Sequence, residues 1–483
     1  MKKMKRVLCT LVSALAIAGN VTAFASCDSG NIVTGDVEVV AYDGSAVTVN
    51  FYHTMGKTLR DVLDKYIPEF NKLYPNITIN HQSFGDYPGL RDQISTELSA
   101  KNSPSLAYCY SDHVALYNNS SAVLTLDNFI SSDLVVTRAD GTTETMGYTQ
   151  TQLDDFVASY YAEGSVYGDN KMYSLPYMKS TEVLYYNKTY FDAKGYTPPT
   201  TWDEMEALCA KIKAEEPNNI PLGYDSEANW FITMCEQLNS PYTSAVPGQK
   251  FLFNNETNWN FVKKFREWYQ KGYVTTEEIS GGYTSDLFTE TDKDEVKTYM
   301  TIGSSAGASY QCPDPLEGQT DENGNKIYPF EVGVAMPPQM DVNNAKVISQ
   351  GPSLCLFKKT NSQEIAAAWL FAKFMTTYVP LQADFSMASG YAPVIQSVET
   401  DELYAEFLDT ADGNANLQAS CVKQNLAQKD ACFVSPAFNG SSEARDEVGL
   451  LMQRCFVNKA EDELALIKSY FADSVEELRY YHE

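Results

Sequence analysis

From residue 46 the apolar residues switch repeatedly between two periods, and that switching constrains the fold more than any other feature of the chain. AVTVNFY alternates apolar and polar positions, the mark of a half-buried strand. GKTLRDVLDKYIPEFNKLYP then places Leu59, Val62, Leu63, Ile67 and Phe70 at helical spacing and stops at Pro75. NITINHQSF alternates again. YPGLRDQISTELSAKN carries Leu90, Ile94 and Leu98 four apart. SLAYCY reads as a third strand, and DHVALY opens another helix. Strands separated by helices cannot close as hairpins; they lie parallel, with each helix crossing over the sheet. The expected class is therefore α/β.

A second unit begins near residue 152. SLPY and EVLYYN read as strands. TTWDEMEALCAKIKAEE reads as a helix opened by a capping box, Thr201 with Glu204. NIPLGY, EVKTYMTIGSS, FEVGVAMP and SLCLFKK supply further strands. NETNWNFVKKFREWYQKG is a helix ended by Gly272, and SQEIAAAWLFAKFMTTY reads as an amphipathic helix starting at Asn361. Residues 313–329 form a Pro/Gly/acid loop, and two helices close the chain. At 483 residues the chain is too long for one ordinary core. Two lobes are expected, residues 46–155 with 325–380 and residues 156–324 with 381–483, the chain crossing between them more than once. A cleft between such lobes is where ligands usually bind. SLPYMKSTEVLYYNK raises a narrower question. Its VLYY run is a buried strand by composition, but its Ser-Thr edge is free to meet something else.

The N-terminus is a separate matter. Lys2, Lys3, Lys5 and Arg6 precede VLCTLVSALAIA, an apolar run of 12, where about 20 are needed to span a bilayer. Residues 1–26 read as a secretory signal. FASC resembles a bacterial lipoprotein box, although Phe24 stands where Leu is usual. That resemblance implies that Cys27 becomes the mature N-terminus and carries a diacylglyceryl thioether, with residues 27–45 as a tether and the body outside the cytoplasm at the membrane surface.

The formal net charge is −27, with no basic stripe, which repels nucleic acid. An anion site in such a field must rely on local cations or helix N-termini. The four His are not in metal spacing, and there is no GxSxG and no Gly-rich GK[ST] loop. The 63 acids provide chance carboxylate pairs too freely for any one pair to signal a glycosidase. No cofactor is expected. The cysteines make no CxxC. Cys421 and Cys432 could be bridged, and buried free thiols are the simpler reading for most of the others.

VNFYHTMG, FNKLYPNITI, GDYPGLRDQI, NSPSLAYCYSDHVALY, SLPYMKSTEVLYYNK with TTWDEMEALCAKIK, YMTIGSSA, FEVGVAMPP and ASGYAPV occur in this order. Together they resemble the extracellular solute-binding proteins of bacterial ABC importers, in the family that holds glycerol-3-phosphate- and oligosaccharide-binding members. The resemblance implies a two-lobed periplasmic-binding-protein-like fold, a hinge of several segments, and closure around one ligand. It implies no catalysis, a monomer, and permease and ATPase subunits as partners. Carried over from the glycerol-3-phosphate binders, GDY places Tyr87, KST places Ser180, GSS places Ser304 and GYAP places Tyr391 at ligand-contacting positions. SQGPS places Gly351 where backbone approaches ligand, and SSEARDE places Arg445 where those binders hold the phosphate. Ser111, followed by Asp112, stands where they have an acid that contacts the glycerol hydroxyls, and Trp230 aligns with a tryptophan of their second lobe. The residue types suit the task. Hydroxyls fix a polyol directionally, a tyrosine face covers the C–H side of a sugar, and arginine binds phosphate through two parallel bonds. The expected function is capture of a small polyhydroxylated solute for import. An oligosaccharide ligand is the alternative within the class. A secreted carbohydrate-active enzyme or a receptor-coupled sensor is the alternative outside it.

Overall fold

The computed structural model describes residues 37–411 and 413–481. The leader and Cys27 lie outside them. β1 (Val47–His53) pairs in parallel with β2 (Ile77–Ser83) and β3 (Leu106–Cys109), and α1 (Lys57–Leu73) and α2 (Tyr87–Ser99) are the crossovers between them. α3 (Ser111–Asn118) leaves the end of β3. β4 (Val135–Thr137) and β5 (Thr143–Thr145) form a small antiparallel ribbon. β6 (Leu175–Pro176) and β13 (Ser353–Leu356) complete the first sheet in the order β2-β1-β3-β13-β6. Val49, Phe51, Leu63, Phe70 and Leu106 are fully buried beneath it, as their alternating and helical spacing requires.

The second sheet gathers around β7 (Met178–Asn187). β8 (Ile220–Tyr224), β9 (Val274–Thr276) and β10 (Thr298–Ser304) lie to one side, with β8 parallel to both β9 and β10. β11 (Val332–Ala335), β12 (Val347–Gln350), β14 (Ala392–Pro393) and β15 (Cys432–Phe433) complete it. β7 is the element that joins the halves. Along its length it pairs with β14 at Met178 and Lys179, with β12 at Ser180 and Thr181, and with β10 from Glu182 onward. Met178 belongs to the first core and Leu184 to the second.

The packing differs from the expected lobe boundaries at two places. Residues 325–350 were assigned to the first lobe, but β11 and β12 both pair with β7 in the second sheet. The stretch from residue 381 was assigned to the second lobe. The helix Val379–Ser389 instead packs on α1, where the Tyr66 hydroxyl donates to Pro380 O at 2.9 Å and to Asp384 Oδ2 at 2.7 Å, and Tyr404 sits in the first core. Strand and helix periods say which face is apolar, not which sheet will cover it. The expected tether ends earlier than residue 45. Tyr42 is buried edge-on against Tyr74 at 6.0 Å, and Gln363 donates to Ala41 O at 3.1 Å. The helix Ser362–Thr377 is buried nearly all round rather than amphipathic, because residues beside the β4–β5 ribbon cover its outer face. Trp369 donates to Met146 O at 2.8 Å, and Lys373 donates to Gly147 O at 2.8 Å. The eight described cysteines, Cys421 and Cys432 among them, are free thiols. Among the described residues no helix is long and apolar enough to cross a membrane.

Candidate functional site

Where β3, β7, β12 and the start of the helix Ser441–Val457 meet, a narrow cleft of about 70 Å³ opens to solvent. Tyr110, Ser111 and Asp112 line it from the first lobe, and Ile232, Tyr242 and Arg445 from the second. Lys179, Glu163 and the Ser349–Gly351 corner form its floor at the hinge. It lies beyond the C-terminal end of β3, where a parallel sheet ordinarily presents loops and helix N-termini to a ligand.

The floor is built around a buried ion pair. Lys179 Nζ bonds Glu163 Oε2 and also reaches Ser353 Oγ at 3.4 Å, while Ser349 Oγ donates to Glu163 Oε1. Ser111 Oγ donates to Glu163 O at 3.2 Å, tying the N-terminus of α3 to the same floor. Gly351 makes this corner possible. Its φ is +93°, and a Cβ there would lie 2.5 Å from Met178 O and 2.9 Å from Lys179 Cα. One wall is aromatic: Tyr87 stacks on Tyr110 with centroids 4.2 Å apart and planes 21° apart. Tyr391, positioned by the left-handed Gly390 that ends its preceding helix, stands near both rings, and its own phenol is pushed up to about 12 by burial.

The opposite wall is charged. The Arg445 guanidinium donates to Asn229 Oδ1 and ion-pairs with no carboxylate among the described residues. Asn229 sits in the first turn of the helix Glu227–Gln237, where its N–H donates to Ser226 Oγ at 3.2 Å. Behind it Glu182 accepts from the Tyr224 hydroxyl at 2.5 Å. Burial pushes the Glu182 carboxyl up to about 7, against the pull of Tyr224, Asn229 and Arg445. His113, buried beneath the aromatic wall, is held below the ordinary imidazole range by burial first.

The expected site residues fall into three groups. Ser111, Gly351 and Arg445 line the cleft, and Tyr87 and Tyr391 stand against the Tyr110 wall. Ser180 and Ser304 are strand positions outside the cleft lining: Ser180 is buried in β7 opposite Gln350, and Ser304 Oγ accepts from Ala306 N at 3.2 Å, capping the turn after β10. Trp230 lies elsewhere. It is 0% exposed, stacked on Tyr224 at 4.8 Å and packed on Phe265 at 4.3 Å in the second core, because it falls on the inner face of the helix whose outer edge carries Asn229. Tyr110, Asp112, Glu163, Lys179 and Tyr242 line the cleft without having been chosen as site residues. Two of them carried a signal: Asp112 follows Ser111 where the glycerol-3-phosphate binders have an acid, and Lys179 stands inside the KST edge of a strand where a buried cation needs a partner.

Residues 65–409 match the family described as bacterial extracellular solute-binding protein. A binding protein of Brucella abortus is 25% identical over 62% of this chain, and the match spans 66% of that relative. The sn-glycerol-3-phosphate-binding periplasmic protein of Salmonella typhimurium is 27% identical over 36% of this chain and 38% of its own length. Among solved structures, an ABC substrate-binding protein from Listeria monocytogenes in complex with cycloalternan superposes with a TM-score of 0.68 at 15% identity, over 90% of this chain and 100% of that one. At that identity the likeness shows the fold.

Proposed function

This chain belongs to the bacterial extracellular solute-binding proteins, and on that premise we propose that it captures a small polyhydroxylated solute with an anionic group, of the sn-glycerol 3-phosphate kind, and delivers it to an ABC permease and its ATPase. The observation that carries the reading is Arg445, a cleft-lining guanidinium with one neutral partner and no carboxylate. In a chain of net charge −27 a cleft cation that pairs with no carboxylate among the described residues suits an anionic ligand, and a guanidinium fits a phosphate with two parallel bonds. Asp112, Ser349 and Ser441 supply hydrogen-bonding groups for hydroxyls around it. Closure is the working motion, biased by a ligand that touches both walls at once. The protein acts outside the cytoplasm as a monomer, held to the membrane by acyl chains on Cys27 and performing no catalysis.

Calorimetry on residues 28–483 tests the reading, with glycerol 3-phosphate and a set of mono- and oligosaccharides in parallel. The expected result is saturable binding of the phosphate, weakened by about 2–5 kcal/mol in Arg445→Ala. Binding of neutral saccharides alone, indifferent to Arg445→Ala, replaces this reading with the oligosaccharide one, which the Tyr87–Tyr110 stack favours as a sugar platform. Turnover of glycosides reopens the enzyme reading. The mass of the mature N-terminus decides lipidation at Cys27.

A further inference from the structure

The second lobe continues past Arg445 and Asn229 into a region that the phosphate reading does not use. One turn before Asn229, Asp225 closes β8, and two segments converge on its carboxylate. Thr284 donates to Asp225 Oδ1 through both its N–H, at 2.8 Å, and its hydroxyl, at 2.6 Å. Gln311 Nε2 reaches Asp225 Oδ2 at 3.3 Å. Gly303 leaves the space for this approach, since a Cβ there would lie 2.4 Å from Asp225 Oδ2. Each converging segment also carries an exposed ring beside its contact: Tyr283 is 59% exposed and Tyr310 is 75% exposed. Gln311 itself is only 2% exposed, and its Oε1 has no hydrogen-bond partner. It is an acceptor set among acceptors.

The charge of the region is one-sided. Glu277 approaches the same loop, its carbonyl accepting from Gly282 N at 3.2 Å. Burial first, and then Asp225, Glu227 and Glu278, push the Glu277 carboxyl up to about 7, and burial also raises Asp225. Neither ion-pairs with a lysine, arginine or histidine among the described residues. No three of these acids converge closely enough to hold a metal ion. A buried Gln311 oxygen without a donor, acids without a paired cation among the described residues and two exposed tyrosines together describe a place for an organic ammonium: the rings attract the charge, the Gln311 carbonyl accepts an N–H, and the acids supply the opposite charge.

We infer that Asp225, Glu277 and Gln311, between Tyr283 and Tyr310, form a subsite for a protonated amino group on the captured solute. The inference rests on the solute-binding reading of the cleft. It adds that the solute carries an N–H-bearing cation on the side of the cleft beyond Asn229.

Two probes that differ only at one substituent test it: glucose 6-phosphate, and glucosamine 6-phosphate, which has an ammonium in place of a hydroxyl. Calorimetry should show the amino compound binding at least tenfold more tightly. Asp225→Asn should reduce that gap to under twofold. Tyr283→Ala, at an exposed ring whose removal does not threaten the fold, should narrow it. Binding of the amine near pH 7 should also release protons from Glu277, seen as heats that depend on the buffer's ionisation enthalpy, and Glu277→Gln should reduce that dependence, leaving the part due to the ligand's own phosphate and amine. Equal affinity of the two probes in the wild type, or a gap that survives Asp225→Asn, overturns the subsite. If neither phosphate binds, the anion reading fails separately, and ethylenediammonium alone decides the subsite. A melting temperature raised by it in the wild type but not in Asp225→Asn supports the inference, and no rise overturns it.

Discussion

The two walls of the cleft are built from opposite materials. The first lobe presents stacked tyrosines at the end of a parallel sheet, Tyr87 on Tyr110, with Ser111 tied to the floor. The second presents charge: Arg445 on Asn229, with Glu182 behind them and Asp225 beyond. An aromatic wall selects flat apolar faces and offers nothing to an anion, while a charged wall carrying a guanidinium selects for an anion and tolerates shape. The difference teaches that affinity for a ring and selection for charge are separable here, because they are carried by different lobes.

That contrast can be broken by mutation. The largest effect is expected away from the cleft. Trp230→Ala empties the centre of the second core and should cost about 3–5 kcal/mol in chemical denaturation. Retained ligand preference in the folded fraction would match its buried position, while intact stability with lost binding would return Trp230 to the site. Next comes Glu182. Its carboxyl, about 7 in the folded protein against an ordinary 4.5, holds its proton longer folded than unfolded. Stability from that difference is full below about 4.5 and is lost as pH rises through 7. Glu182→Gln cannot ionise, so its stability relative to the wild type should improve by about 3 kcal/mol between pH 4 and pH 8. Melts at both values check this, and a constant difference would mean that Glu182 does not titrate there.

The tyrosine wall should respond less. Tyr110→Ala removes the partner of Tyr87 and should weaken any cleft ligand by about 1–2 kcal/mol, without the preference for anions that Arg445→Ala removes. A loss confined to anionic ligands would collapse the contrast between the walls. The smallest effect is expected at the rim. Arg91 of α2 donates to Ser442 Oγ at 3.0 Å and to Asp446 Oδ2 at 2.9 Å, joining the lobes beside Arg445. Asp446 is largely exposed, so Arg91→Ala should shift closure by only about 0.5–1 kcal/mol. Small-angle scattering should show a slightly larger radius of gyration without ligand, and a large opening would make this pair the main latch.

The legibility of the site follows the same division. Gly351 and Arg445 stand in short motifs whose backbone or charge is unusual locally, a left-handed turn and an arginine opening a helix, so they could be named from the chain. Trp230 could not be placed, because a helix of mixed apolar and polar residues presents a tryptophan equally well to a cleft or to a core. Glu163 and Asp225 were not legible as site residues, and Lys179 was marked only as a cation inside a buried strand. Their roles depend on partners 16, 174 and 86 residues away in the chain.

By itself the sequence determined the alternation of strands and helices, the parallel run β1–β3 that opens the first sheet, a two-lobed fold and the family. These depend on period and local order, which survive at any placement in space. The tertiary structure alone decided that KST continues the strand as the hinge, that β11 and β12 join the second sheet and the helix Val379–Ser389 the first core, and that one wall of the cleft is aromatic and the other charged. A strand edge pairs through backbone groups that every residue carries, and a charge acts on whatever packing brings within a few ångströms, so neither choice is written in the spacing of side chains along one segment.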